Sequence, residues 1–138
     1  YKHRRHACQR LDFRLQRSGG GVVMVVYNFC IPQGTDLTVP FVLTDSTETP
    51  INLQGYTAAV LLRVQITAAQ AVATLTTENG RITITPDTGQ ITCTFPHEQT
   101  ETYPAKTLVY DLEITSPADE ITRVVQGKIV VNPEVTRV

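Results

Sequence analysis

The strongest constraint on the fold is an alternation of apolar and polar residues near the end of the chain. Apolar residues stand at every second position from Leu108 to Ile114, and the alternation returns at Ile129 and Val131. Successive side chains of a β-strand point to opposite faces of the sheet. The pattern therefore predicts two long strands joined by a polar turn, each with a buried face and an exposed face. Asp111 and Glu113 fall on the exposed face.

Turn residues divide most of the remaining sequence into short strands. Asn79-Gly80 is the pair that best tolerates the positive φ angles of a type I′ turn, so it predicts a hairpin between segments 73–78 and 81–85. Pro86–Gly89 predicts a second tight turn, and with it a three-stranded meander. Pro40 inside segment 37–44 predicts an edge strand or a bulge. The polar segment 97–102 predicts one helical turn.

Strand number and turn spacing together indicate the fold class. They predict an all-β, immunoglobulin-like antiparallel β-sandwich of seven to eight strands, with a Greek-key variant or a partly open barrel as the alternatives. Residues of one parity along the strands form the expected core. These are Val60, Leu62, Ile82, Ile84, Ile91, Cys93, Phe95, Leu108, Tyr110 and Leu112.

Charge divides the chain into two parts. Residues 1–23 hold six of the twelve Lys and Arg residues and one of the thirteen Asp and Glu residues. Residues 24–138 therefore carry six cations and twelve anions, a net charge of −6. We predict a single β-sandwich domain over 24–138, preceded by a basic segment at 1–23. No apolar run is long enough to span a membrane.

Two interpretations of the basic segment stay open. It precedes Met24, the only methionine, and follows the pattern of a spurious untranslated leader before the true start. Alternatively it is an assembly arm that is ordered only against another chain. In that case Leu11, Phe13 and Leu15 share a strand face, whereas Ala7, Leu11 and Leu15 share a helical face, and the sequence does not choose between them. The residues expected to act in assembly are Arg4, Arg5, Arg10, Leu11, Phe13, Arg14, Leu15 and Arg17.

Few residues suggest chemistry. His3, His6 and Cys8 could bind zinc, but a structural zinc site needs four ligands, so a solvated charged segment is the favoured interpretation. His97 is expected in an exposed polar turn rather than in acid–base catalysis. Three scattered cysteines predict no disulfide framework and indicate a reducing compartment. We therefore predict no enzymatic activity, no catalytic or metal site, no cofactor and no small-molecule substrate.

Six short segments follow one another in a fixed order: 33–36 (QGTD), 52–57 (NLQGYT), 75–82 (LTTENGRI), 109–113 (VYDLE), 123–128 (RVVQGK) and 133–137 (PEVTR). In this order they resemble small tail-associated structural proteins of tailed bacteriophages. They also resemble, more distantly, the immunoglobulin-like N-terminal domain of phage baseplate upper proteins. The resemblance covers residues 29–137, and none of its motifs is catalytic.

The resemblance implies a non-enzymatic structural component of a phage virion, synthesised in the bacterial host cytoplasm. A tail, baseplate or fibre-attachment adaptor is expected, with other phage structural proteins as partners in multiple symmetry-related copies. Neither nucleic acid nor a membrane is an expected partner. A capsid decoration or cement protein is one alternative. A carbohydrate-binding module is another, although the chain has no tryptophan and only 7% aromatic residues for a stacking platform.

Two glycine-containing segments carry specific expectations. Leu53 and Tyr56, on either side of the Gly55 turn, are expected to close one end of the sandwich. Gly127 lies in the middle of the last strand, where a glycine loses packing. It predicts either a bulge or the close approach of another backbone segment.

Overall fold

The computed structural model describes residues 13–18, 21–22, 25–45 and 47–133, with only the backbone described for residues 13–22. Eleven strands, one helical turn, α1 (His97–Thr100), and a 3₁₀ turn (Pro86–Thr88) make up its regular structure in these ranges. The strands are β1 (Phe13–Ser18), β2 (Gly21–Val22), β3 (Val25–Val26), β4 (Phe29–Pro32), β5 (Leu37–Thr44), β6 (Thr57–Arg63), β7 (Ala73–Thr76), β8 (Ile82–Thr85), β9 (Gln90–Phe95), β10 (Thr107–Thr115) and β11 (Ile121–Asn132).

The strands form two sheets packed face to face. One sheet has the order β2-β1-β5-β9-β8, and the other has the order β3-β11-β10-β6-β7, with β4 also paired to β11. The chain crosses between the sheets from β4 to β5, from β5 to β6, from β7 to β8 and from β9 to β10, and two-layer sandwiches of this kind include the immunoglobulin-like fold. The predicted all-β, immunoglobulin-like sandwich is confirmed. The sheets are mixed rather than purely antiparallel, because β1 pairs parallel to β5 while β3 and β4 pair parallel to β11.

The inner faces of the sheets form one apolar core. Nine of the ten predicted core residues are buried, and the tenth, Ile84, is partly buried against them. Aromatic rings join the two layers: Phe29 lies 5.4 Å from Tyr110 and 6.0 Å from Phe95 between ring centroids. Alternating apolar residues therefore place one face of each strand in the core, as the period of two requires.

The predicted hairpin at Asn79-Gly80 is wrong. β7 pairs with β6 and β8 pairs with β9, so residues 77–81 cross from one sheet to the other. Only Gly80 has a positive φ, of 82°; Asn79 is not among the non-glycine residues with positive φ. The side-chain amide of Asn79 instead forms hydrogen bonds with backbone groups of β7. The second predicted turn is confirmed, because Pro86–Thr88 forms a 3₁₀ turn between the antiparallel strands β8 and β9.

Gly127 lies where another backbone segment approaches closely, as predicted. A Cβ atom at this position would lie 2.1 Å from the carbonyl oxygen of Tyr27. The bulge in β11 lies three residues earlier, because Leu112 pairs with Val125 while Glu113 pairs with Arg123. Glycine at 127 therefore allows the segment between β3 and β4 to pass against β11.

Three further expectations concern single positions. Leu53 is buried and Tyr56 packs against the core beside Gly55, whose φ is 82°. Pro40 lies in the part of β5 that pairs only with β9 among the described residues, since pairing with β1 begins at Phe41. The helical turn predicted at 97–102 is α1.

The cysteines differ from each other. Cys93 is free and buried, and this burial raises the pKa of its thiol to about 12. It therefore behaves as a small apolar core residue. Cys30 is disulfide-bonded, contrary to what the scattered cysteine spacing predicts.

Candidate interaction surface

The outer face of the sheet formed by β6, β10 and β11 carries a regular set of charged and apolar side chains. Strand register places Arg63, Val109 and Lys128 in one row across the three strands. The next row along the strands contains Leu61, Asp111 and Gln126, and the third contains Ala59, Glu113 and Arg123. The predicted outward orientation of Asp111 and Glu113 is confirmed, because both side chains are more than a third exposed while their neighbours in sequence are buried.

A shallow hollow of about 450 Å³ lies on this face. We call it the outer-face hollow. Its apolar lining includes Leu61 and Val109, which are partly exposed, and two strongly exposed residues, Val26 at 60% and Ile66 at 83%. Its polar lining includes Asn28, Arg63, Asp111, Arg123, Gln126 and Lys128. An exposed apolar surface ringed by polar groups is typical of protein–protein contacts.

Arg123 holds the two acidic residues of the face together. Its Nε atom lies 3.4 Å from Oδ2 of Asp111 and 3.8 Å from Oε2 of Glu113. The β-bulge at Val124 brings Arg123 opposite Glu113, because the extra residue shifts the pairing by one position. These exposed ion pairs contribute little to the stability of the fold, but they fix the direction of three charged side chains.

The two other cations of the hollow are not neutralised within the described part of the chain. Arg63 and Lys128 form no ion pair there; the Nη1 atom of Arg63 donates a hydrogen bond to the carbonyl oxygen of Ala68 at 2.9 Å. The backbone of Lys128 is fixed, because its N–H donates to Oδ1 of Asn28 at 2.8 Å. The hollow thus contains three cations and one anion, on a domain whose overall charge is negative.

Asn79 closes the nearby sheet edge at β7. Its side-chain amide donates to the carbonyl oxygen of Thr74 at 3.0 Å and accepts the N–H of Thr76 at 3.0 Å. These two backbone groups point away from β6, since Thr77 N–H bonds to the carbonyl of Ala58 on the opposite side. The amide therefore occupies groups that an added strand would need. Strand addition at this part of the β7 edge would have to break these two hydrogen bonds.

A second polar contact joins α1 to the turn before β5. The N–H of His97 donates to Oδ1 of Asp36 at 2.7 Å, and its Nδ1 lies 3.0 Å from the same oxygen. The hydrogen bond from the His97 backbone N–H has the largest effect on Asp36, and the hydrogen bond from the His97 side chain comes next. Together they hold the pKa of Asp36 below its usual 3.8. The side-chain bond to Asp36, followed by the charge of Glu98, raises the pKa of His97 above 6.5.

The pH range of this contact follows from the two directions. A raised His97 pKa gives stability that is complete below about pH 6.5 and is lost as the pH rises through the folded pKa. A lowered Asp36 pKa gives stability that is complete above about pH 4 and is lost as the pH falls through the folded pKa. The contact is therefore strongest between about pH 4 and 6.5. His97 lies in an exposed polar turn, as predicted, and its contact with Asp36 joins α1 to the turn before β5.

The expected assembly residues fall in two groups. Arg4, Arg5, Arg10 and Leu11 lie outside the described residues, as do His3, His6 and Cys8. The others lie in β1, whose backbone pairs parallel to β5 of the same chain, with Phe13 opposite Phe41. Segment 13–18 is thus part of the sheet rather than ordered only against another chain. An assembly role for these residues, Phe13, Arg14, Leu15 and Arg17 included, stays a prediction.

Sequence reasoning did not identify the outer-face hollow. The signal was present at outward positions: Arg63 ends β6, while Arg123 and Lys128 both lie in β11. Only the strand order shows that β6 and β11 flank β10 and bring these cations to one surface. Ile66 belongs to the loop after β6. Its position at the outer-face hollow could not be predicted from the residue pattern of that loop.

Within the described ranges, no group of three or more His, Cys, Asp or Glu side chains could hold a metal ion. No helix within the same ranges has the length and apolar character needed to cross a membrane.

Comparison with known proteins gives matches only among solved structures. No protein-family model and no curated protein matches the chain. The N-terminal domain of phage TP901-1 ORF48 matches with a TM-score of 0.48 and 7% identity, over 88% of this chain and 98% of that one. A structure described as chicken TCR for 2.0 matches with a TM-score of 0.48 and 9% identity, over 90% of this chain and 58% of that one. Both structures share only a distant backbone similarity with this chain. The fold of this chain is established by the two-sheet strand order described above.

Proposed function

We propose that this protein is a non-enzymatic structural component of a tailed-phage particle, which acts by binding neighbouring protein subunits. A tail, baseplate or fibre-attachment position is the specific form of the proposal. The phage assignment is supported by the resemblance of residues 29–137 to tail-associated structural proteins. The binding role is supported by the outer-face hollow, which is the single observation that carries it.

The chemistry of the hollow suits a protein partner. Val26 and Ile66 expose aliphatic surface that loses contact with water when a partner covers it, which stabilises association by about 25 cal/mol per Å². Arg63 and Lys128 flank this surface and add orientation and partner choice through charge. A carbohydrate-binding module would instead present aromatic rings to stack on sugars. In the described ranges, the large apolar side chains that are strongly exposed are all aliphatic: Val26, Val64, Ile66 and Ile121.

Purified particles of the phage that encodes this chain provide the test. Quantitative mass spectrometry should detect the chain at a fixed number of copies per particle, and immunogold labelling should place it at the tail. Labelling over the capsid would favour the alternative of a decoration or cement protein. Absence of the chain from particles that infect normally would refute the proposed function.

The contribution of the hollow is tested in the same particles. A Lys128→Glu, Arg63→Glu double variant should be incorporated at least fivefold less than wild type, with an unchanged far-UV circular dichroism spectrum. Lys106→Glu is the matched control for Lys128→Glu alone, since each reverses one exposed cation and Lys106 does not line the hollow. Equal incorporation of both variants would show that the hollow is not the binding surface.

A further inference from the structure

The charge of the outer-face hollow is opposite to that of the rest of the domain. Residues 24–138 contain six cations and twelve anions, and the hollow takes three of the cations and one of the anions. Glu113 does not line the hollow but lies on the same face, paired with Arg123; away from this face the described side chains include two cations and nine anions. Residues 1–23 add six cations and one anion to every copy, so the acidic exterior belongs to the described sandwich surface and not to the whole chain, whose net charge is −1.

We propose that the hollow binds the acidic exterior of a second copy of this chain, in a head-to-tail contact. The inference rests on the proposed binding role of the outer face, but not on the assignment to a phage. Charge complementarity identifies the occupant, because the one carboxylate of the hollow, Asp111, is paired with Arg123, and the remaining described surface has an excess of carboxylates that could pair with Arg63 and Lys128.

The rows of the outer face argue against a symmetric contact between two hollows. In a face-to-face pair with its two-fold axis parallel to β10, Arg63 of one copy would lie against Lys128 of the other. With the axis across the strands through Asp111, Lys128 would lie against Arg123 and Asp111 against its own copy. Both arrangements bring like charges together in the centre of the contact. A head-to-tail contact avoids this repulsion, and it repeats to give a ring or an open filament.

Because the Asn79 amide bonds to the backbone at the edge of β7, association of two copies at this side of the sandwich favours the outer face. Strand-to-strand association would need the outward backbone groups of β7, and Asn79 already bonds to those of Thr74 and Thr76. Association through side chains on the outer face requires no such groups. A contact of this kind depends on charge and is weakened by salt.

Sedimentation velocity of the full chain tests the proposal. In 50 mM NaCl the weight-average mass should rise with concentration from about 5 to 500 µM and exceed that of a dimer. In 500 mM NaCl the apparent Kd should be at least fivefold weaker. The double variant Lys128→Glu, Arg63→Glu should stay monomeric, whereas Lys106→Glu should associate within twofold of wild type. Thermal melts of all variants confirm folding.

A mixing experiment separates a head-to-tail contact from a symmetric one. The double variant retains its acidic exterior, so it can enter the hollow of a wild-type copy but cannot accept a further copy. Adding it in equal amount to wild type should therefore lower the weight-average mass of the wild-type oligomers at least twofold. A monomer at every concentration in 50 mM NaCl overturns the proposal. So does a dimer that grows no further, or association that the double variant retains.

Failure of this inference and failure of the proposed function give different results. A chain that is monomeric in solution, yet needs the hollow for incorporation into particles, overturns self-association and leaves the proposed function standing. A chain that associates through the hollow but is absent from particles refutes the proposed function alone.

Discussion

Replacing Gly127 by Ala tests whether the last strand depends on the close approach of the Tyr27 backbone. A Cβ atom at position 127 would lie 2.1 Å from the Tyr27 carbonyl oxygen, while contacts below 3.0 Å do not occur for real Cβ atoms. The two backbone segments would have to separate by about 1 Å, a forced repacking that costs about 1–3 kcal/mol. The φ of Gly127 is not in the left-handed region, so the effect is steric.

Three hydrogen bonds would be weakened by the same separation. Tyr110 donates its hydroxyl to the Tyr27 carbonyl at 2.7 Å, and the Tyr27 N–H donates to Gln126 at 2.9 Å. The Lys128 N–H donates to Asn28 at 2.8 Å. Each is worth about 0.5–1.5 kcal/mol net. With partial loss of these bonds added to the repacking cost, Gly127→Ala should lower the free energy of unfolding by about 3–4 kcal/mol.

Urea denaturation followed by far-UV circular dichroism is the assay, because the chain has no tryptophan to report by fluorescence. The slope m should not change, and the midpoint should fall. Gly80→Ala is the control: Gly80 has a φ of 82° but open space around its Cβ position. It should cost about 1–2 kcal/mol from backbone strain alone. If Gly80→Ala proves as destabilising as Gly127→Ala, the close approach does not constrain the fold and the reasoning is refuted.

Three further predictions concern the core, a turn and the pH dependence of stability. Leu112→Ala should cost about 2–5 kcal/mol in urea denaturation, because Leu112 is fully buried; a change below about 1 kcal/mol would contradict the register of β10. Gly89→Ala should destabilise more than Gly80→Ala, since a Cβ at 89 would lie 2.5 Å from the Leu43 carbonyl oxygen; equal melting temperatures would contradict this. Asp36→Asn should lower the melting temperature most between about pH 4 and 6.5, where His97 and Asp36 are both charged. A loss that is the same at pH 5 and pH 8 would show that the ion pair has no such role.

The parts of the fold that follow a period of two could be predicted from the sequence. The bounds of β5 and the buried face of β10 follow directly from alternating side chains, because only a paired strand buries every second residue. The approach of another segment at Gly127 was also readable, since a glycine within a strand has few other uses. These features are local: each depends on a few neighbouring residues and on the existence of one core.

The hairpin at Asn79-Gly80 shows where local reasoning fails. The dipeptide fits a two-residue turn, but β7 gains more by pairing with β6 and β8 gains more by pairing with β9. Tertiary pairing therefore overrides the local turn preference. The amide of Asn79 then has a different use, bonding Thr74 and Thr76 where a partner strand would otherwise lie. Asn79 is thus structurally important, as predicted, but it forms hydrogen bonds at the edge of β7 and is not part of a two-residue hairpin turn.

The outer-face hollow could not have been predicted, because it is a property of strand order rather than of any segment. Arg63 and Lys128 are 65 positions apart, and each alone is an ordinary solvated cation on the exposed side of a strand. The order β11-β10-β6 brings them within two strand spacings, about 10 Å, on either side of Val109. Two cations that share one apolar surface repel each other unless an anion lies nearby. The described carboxylates of the face are already paired with Arg123, so a carboxylate supplied by another molecule would lower the electrostatic energy of this surface most.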